Sequence, residues 1–165
     1  RNFAISLGIY KDGIGVLGYI YDVIHDELYS AQKGQGAYLN DEPIPLLEST
    51  TISEAIIGMN ASWVVPNSYI ENEGLVRLVK DVRGIRSYGS AALELAYVAT
   101  GRIDAYMSMR LSPWDVAGGV VIAQEVGAVA TNLNGQPLKL LGQDTFLVAR
   151  KSLHDTLIEK YITLK

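Results

Sequence analysis

Over its first forty residues the chain alternates apolar and polar positions with the two-residue period of a β-strand. Phe3, Ile5, Leu7 and Ile9 fall on one side of such a run, and Lys11-Asp12-Gly13 supplies a turn in which glycine can take positive φ. A second strand is expected over residues 16–23, rich in β-branched and aromatic side chains. A third follows the His25-Asp26 turn over residues 27–32, and a fourth follows Gly34-Gln35-Gly36 over residues 37–39. Links this short predict an antiparallel meander.

The texture changes after the polar stretch at residues 47–53. Strands are expected over residues 55–59, 85–88, 103–109, 128–131 and 146–149, with a turn at Asn134-Gly135. Helices are expected over residues 69–82, 90–100 (stopping at Gly101), 113–126 and 152–162. Strands first, then alternating strands and helices, predict a layered α/β (α+β) architecture with helices covering a mixed sheet. The chain divides accordingly into 1–50, the end of an antiparallel-sheet part, and 51–165, an α/β part.

Composition sharpens this picture. Hydrophobic residues make up 48% and charged residues 19%, enough for a substantial core and against wholesale disorder. The net charge of −4 offers no basic footprint for nucleic acid, yet leaves room for a small anion. With no cysteine, disulfides and thiolate metal sites are excluded and a cytoplasmic setting is expected. No apolar run is long enough for a membrane span, and no signal-peptide pattern is visible. The opening Arg1-Asn2-Phe3-Ala4 lacks an initiating Met and starts inside a strand, so further sequence is expected upstream.

The run Leu111-Ser112-Pro113-Trp114-Asp115-Val116-Ala117-Gly118-Gly119-Val120-Val121-Ile122-Ala123 carries the candidate chemistry. Ser112 suits an N-cap and Pro113 the first helical position, where its missing N–H costs nothing. The helix is apolar almost all round and therefore buried. Gly118 and Gly119 each cost about 1 kcal/mol against Ala in a helix interior, which is tolerated where another backbone approaches closely. Asp115 is an acid in the first turn of this buried helix. Ser112-x-x-Asp115 reads as a capping box suited to the helix dipole. On spacing alone the cap is the leading reading; the second is an outward carboxylate for a hard cation such as Mg²⁺, and the two roles are compatible.

Trp114-Asp115-Val116-Ala117-Gly118-Gly119, followed by Glu125-Val126-Gly127-Ala128, resembles the second signature of the inositol monophosphatase family, departing from it at Val126 and Ala128. Ser87-Tyr88-Gly89-Ser90-Ala91-Ala92, with Val98-Ala99-Thr100-Gly101-Arg102 behind it, resembles the family's Gly-Thr-Ala segment and the helix end that follows. Phe3-Ala4-Ile5-Ser6 and Lys33-Gly34-Gln35-Gly36-Ala37-Tyr38 match its central strands, so nearly the whole chain is covered in order.

The resemblance implies a layered α-β-α-β-α sandwich and hydrolysis of a small phosphorylated metabolite by water activated on two or three Mg²⁺ ions. Asp115 becomes the metal ligand, and Gly89, Ser90 and Ala91 line the substrate site with backbone N–H groups at a helix start. Ser90 reads also as an ordinary N-cap. Ser108 stands where inositol-specific members place a Glu, which leaves the substrate open. Arg110 could meet a phosphate, or be a solvated or ion-paired surface residue. Glu125 reads as a structural hydrogen-bond or ion-pair partner. The family's first signature, Asp-Pro-Ile/Val-Asp-Gly-Thr, is absent from this sequence, so no catalytic residue is identifiable and the isolated chain is expected to be inactive. It is also expected to be unstable, with the apolar face of its first sheet uncovered.

Asp12 reads as a hairpin residue, Asp104 as an acid alone on a strand, and Ser152-x-x-Asp155 as another capping box. His25 and His154 are taken as surface residues. A homodimer is implied by the family, with neither nucleic acid nor membrane as partner. The competing reading is a non-catalytic interaction or regulatory module.

Overall fold

The computed structural model describes residues 2–139 and 141–165. Five strands come first: β1 (Ala4–Lys11), β2 (Ile14–Asp22), β3 (Glu27–Gln32), β4 (Ala37–Leu39) and β5 (Glu42–Pro43). They pair in sequence order, each antiparallel to the last, with Leu7 opposite Tyr19 and Tyr19 opposite Ser30. β1 is an edge strand. The alternation behaves as the period requires: Ala4, Ser6, Gly8 and Tyr10 face inward, while Phe3, Ile5, Leu7 and Ile9 lie exposed on the outer face with Tyr19 and Leu28.

The second sheet has the order β7-β6-β8-β10-β9. It comprises β6 (Ile56–Gly58), β7 (Gly84–Arg86), β8 (Ala105–Leu111), β9 (Ala128–Thr131) and β10 (Asp144–Arg150). β6 runs parallel to both β7 and β8, whereas β10 is antiparallel to both of its neighbours. The helices are α1 (Asn72–Asp81), α2 (Ala91–Ala99), α3 (Pro113–Glu125) and α4 (Lys151–Tyr161).

Two apolar clusters define the layers. One joins Ile20, Tyr29 and Ala31 of the first sheet to α2, α3 and the Tyr106, Phe146 and Val148 side of the second. The other joins Ala105, Met107, Leu147 and Ala149, on the opposite side, to Leu75 and Leu78 of α1 and Leu153 and Leu157 of α4. The order is therefore sheet, α2 and α3, sheet, α1 and α4, the mixed α/β layering that the pattern predicts.

Gly118 and Gly119 sit where close approach was expected. A Cβ on Gly118 would lie 2.5 Å from the Leu7 carbonyl oxygen and 2.8 Å from that of Tyr19; one on Gly119 would lie 2.6 Å from the Leu95 Cβ. The backbones of β1 and β2 thus rest directly on α3. Glu125, at the far end of α3, accepts the N–H groups of Gly34 and Gly36, each at 2.9 Å, and so fastens the turn between β3 and β4.

Several local expectations are corrected by groups distant in sequence. The helix predicted from residue 69 begins at Asn72, because the Asn67 side chain accepts the N–H groups of Tyr69 and Ile70 and the Thr163 carbonyl takes that of Glu71. The strand predicted over residues 85–88 is Gly84–Arg86. That predicted from 103 starts at Ala105, because Arg102 and Ile103 still donate to the Tyr97 carbonyl at the end of α2. Asp104 is not alone: it pairs with Arg150 at 2.6 Å and accepts the Ile56 N–H at 2.7 Å.

The capping box at Ser152 does not form. α4 begins at Lys151, and the Ser152 hydroxyl exchanges hydrogen bonds with the backbone of Thr50. His154 is buried, not on the surface, with Nε2 at 2.8 Å from the Thr131 hydroxyl and Nδ1 at 2.8 Å from Asp155. His25 is exposed at its turn, and its ring meets the buried Asp22 at 2.7 Å.

Glu27 and Arg102 brace the first sheet against the end of α2 through two hydrogen bonds of 2.7 and 2.8 Å, and Arg102 stacks on Tyr97. The Arg102 guanidinium holds the Glu27 carboxyl down at about 2, against an ordinary 4.5. A depressed acid stabilises the fold above its unfolded pKa and loses that contribution as pH falls. Urea midpoints should therefore decline between pH 4.5 and 2 in part through this pair. Arg102→Met should flatten that limb, and an unchanged slope would count against the brace.

Candidate functional site

β6, β7 and β8 are mutually parallel, so Gly58, Arg86 and Leu111 end at the same edge of the second sheet. Two of these ends feed helices directly. β7 leads through residues 87–90 into α2, and β8 leads through Ser112 into α3. Both helix N-termini therefore open at the carboxyl edge of the parallel strands, where open α/β sheets place their ligands.

At the start of α3, the Asp115 carboxylate accepts the Ser112 N–H through Oδ2 at 2.8 Å, and the Asp115 N–H donates to the Ser112 carbonyl at 3.0 Å. The capping reading of Asp115 is thus met with one oxygen. The other oxygen has no hydrogen-bond partner among the described residues, and the side chain is partly exposed, so it is open to a hard cation. Trp114, beside it, is 75% exposed.

At the start of α2, Gly89 has φ +75 and lies at an open position, the left-handed conformation that glycine takes at least cost. Ser90 is the N-cap, its hydroxyl accepting the Leu93 N–H at 3.5 Å, a long bond. Ala91 opens the helix, and its small side chain leaves the N-terminal amides accessible.

Ser108 and Arg110 share with Tyr106 the side of β8 that faces α2 and α3, by the period of the strand. Ser108 is buried and only loosely engaged, with contacts of 3.4 and 3.5 Å to the Arg110 backbone. Arg110 is exposed. The six candidate residues therefore converge on one edge, with Ser108 beneath and the others at the surface.

Two residues of this edge escape the sequence reading. Glu94 of α2 is buried, accepts the Tyr88 N–H at 2.8 Å, and faces the Tyr106 hydroxyl; burial pushes its carboxyl up. Tyr106 lies between Glu94 and the Ser108 hydroxyl and feels the charge of Asp115, and burial pushes its phenol up. The available signal was an acid inside the apolar run Ala91-Ala92-Leu93-Glu94-Leu95-Ala96.

The metal question is answered by the donor set. No group of three or more His, Cys, Asp or Glu side chains among the described residues could hold a metal ion. Asp115 fits as one ligand of a hard cation but does not make a site by itself, since such ions need several oxygens held together. A cavity of about 660 Å³ lies nearby between the β1–β2 hairpin and α3, lined by Tyr10, Ile14, Val116, Val120 and Leu138. It is apolar and contains none of the six candidates, which makes it a poor seat for a phosphate. No described helix is long and apolar enough to cross a membrane.

Comparison with known proteins bears on the fold and the family. The model of the Inositol monophosphatase family matches residues 1–163. An inositol-1-monophosphatase of Bacillus subtilis (strain 168) is 53% identical over 162 residues, covering 98% of this chain and 61% of that protein. Crystal structures of the staphylococcal SaIMPase-II bound to inositol monophosphate and to 2'AMP both superpose with a TM-score of 0.93 at 45% identity. Each covers 98% of this chain, and 63% and 62% of the respective structures. The chain thus spans about three-fifths of the length of these relatives. Fold, ordered motifs and identity all converge, and the chain belongs to the inositol monophosphatase family.

Proposed function

We propose that this chain is the portion of a Mg²⁺-dependent phosphomonoesterase that supplies one metal ligand and the substrate-facing helix start. The observation that carries the proposal is Asp115: one carboxylate oxygen is fixed by the Ser112 N–H, and the other is open at the edge where α2 also begins. Asp115 would hold one face of the cation, its orientation set by the cap. The amides at Gly89, Ser90 and Ala91 would take the anionic or polyol part of the substrate. Arg110 would add a fixed positive charge for phosphate, and Ser108 a hydroxyl in place of a carboxylate. Mg²⁺, when bound, lowers the pKa of a coordinated water and stabilises charge on the attacking and leaving oxygens.

The substrate is a small phosphorylated metabolite, and Ser108 leaves myo-inositol phosphate as one choice among several. Only one carboxylate ligand comes from this chain, so the remaining ligands are assigned to parts of the complete protein outside it. The isolated chain should release no phosphate. The family resemblance supports a homodimer, and the absence of cysteine favours a cytoplasmic setting.

The test is phosphate release by the complete protein from inositol 1-phosphate, fructose 1,6-bisphosphate and 2'-AMP. Release that EDTA abolishes and Mg²⁺ restores is the expected result. Release untouched by chelation, or none from any of these compounds, overturns the proposal.

A further inference from the structure

Helix α2 buries Leu93, Leu95, Ala96, Tyr97, Val98 and Ala99, all apolar or aromatic, and among them Glu94. A buried carboxylate costs several kcal/mol unless it is paired and hydrogen-bonded. None of the ion pairs among the described residues includes Glu94. Its carboxylate accepts the Tyr88 N–H, and the Tyr106 hydroxyl faces it. Asp115, which also acts on that phenol, is of like sign. An apolar residue would suit this place better for stability alone, so the acid invites a functional explanation.

The geometry of its hydrogen bond supplies one. A capping-box acid stands third in a helix and reaches the N-cap amide. Glu94 stands fourth, counting from Ala91, and reaches past the Ser90 cap to Tyr88. It therefore holds the turn ahead of the helix rather than the helix end. The next peptide is held as well, because the Asn2 side chain donates to the Tyr88 carbonyl at 2.8 Å. Gly89 follows at positive φ with open space around it, while the Tyr88 ring packs edge-on against Tyr97 of α2. Ser90 caps the helix through its carbonyl, which takes the Glu94 N–H at 2.9 Å, and its hydroxyl adds only a long bond to Leu93.

We propose that Glu94 is a positioning residue, fixing the Tyr88-Gly89-Ser90 turn so that the first amides of α2 are aimed at the substrate, with Tyr106 of β8 facing it. The proposal rests on the substrate role assigned above to Gly89, Ser90 and Ala91. Glu94 touches no reacting atom; it acts through the turn.

Two variants of the complete protein separate this role from general support. Gln at this position keeps an oxygen for the Tyr88 amide, and Ala does not. Glu94→Ala should raise KM for the preferred phosphomonoester by about tenfold, with kcat within about threefold, and Glu94→Gln should stay within about threefold of the parent in both. The Mg²⁺ concentration for half-maximal activity should not move in either. Amide hydrogen exchange at Tyr88, whose N–H the carboxylate accepts, should quicken about tenfold in the Ala variant only. If Glu94→Ala does not fold, Tyr106→Phe, which removes one hydroxyl, should raise KM by about threefold without touching kcat. An unchanged KM in both Glu94→Ala and Tyr106→Phe overturns the proposal, as does a Gln variant impaired as much as Ala. A parent protein without phosphatase activity would sink the function proposed above, while hydrogen exchange would still decide whether Glu94 holds the turn.

Discussion

Replacing Asp115 with Asn in the complete protein should reduce Mg²⁺-supported phosphate release by about 100-fold or more, since losing even a residue that supports a metal ligand costs 10- to 100-fold. Stability should hardly change. The Asn side-chain oxygen can still accept the Ser112 N–H, so the cap survives while the charge facing the cation is lost. The Mg²⁺ requirement should rise in parallel. This separates the two roles that spacing alone leaves open. Full activity in Asp115→Asn would show that the acid is only a cap, and matched losses of activity and urea midpoint would show that the variant disrupts the helix instead.

The second large effect should come from one methyl group. Gly118→Ala adds a carbon 2.5 and 2.8 Å from two carbonyl oxygens of neighbouring strands, Leu7 and Tyr19. Backbone atoms cannot turn aside as a side chain would, so α3 and the first sheet must part. In an unobstructed helix the same change would stabilise by about 1 kcal/mol. Overpacking typically costs about 1–3 kcal/mol, and here the loss should fall at the upper end of that range. Chemical denaturation of the complete protein measures it. A neutral or stabilising result would mean that the sheet does not rest on this helix.

The parts of the fold legible in the sequence are those governed by local periods and turns. The two sides of β1 follow from alternation, though not that its apolar side lies outward, and the need for small residues in α3 follows from the oddity of two glycines in a buried helix. Asp115 was visible for the same reason, as an acid in an apolar run. Glu94 offers the same signal one helix earlier. It is informative only once Tyr106 is known to lie opposite, because helix α2 and strand β8 meet in space alone. His154 looked like a surface residue because its partner Thr131 is 23 positions away. Ser152 looked like a cap because Thr50, to which its hydroxyl is committed, is 102 positions away. Asp104 and Arg150, 46 apart, are the same case. Local rules assign a polar group to its nearest backbone, and the folded chain reassigns it wherever burial demands a better partner.

Helix α3 begins at an acid that faces the site and ends at an acid that grips a hairpin. The ten residue steps from Asp115 to Glu125 set the span between them, about 15 Å at the helical rise. Between the two, the glycine contact fixes the helix against rotation and sliding. The result is a strut with both ends keyed. The turn at Gly34 and Gly36 and the carboxylate of Asp115 are thereby joined through one clamped helix.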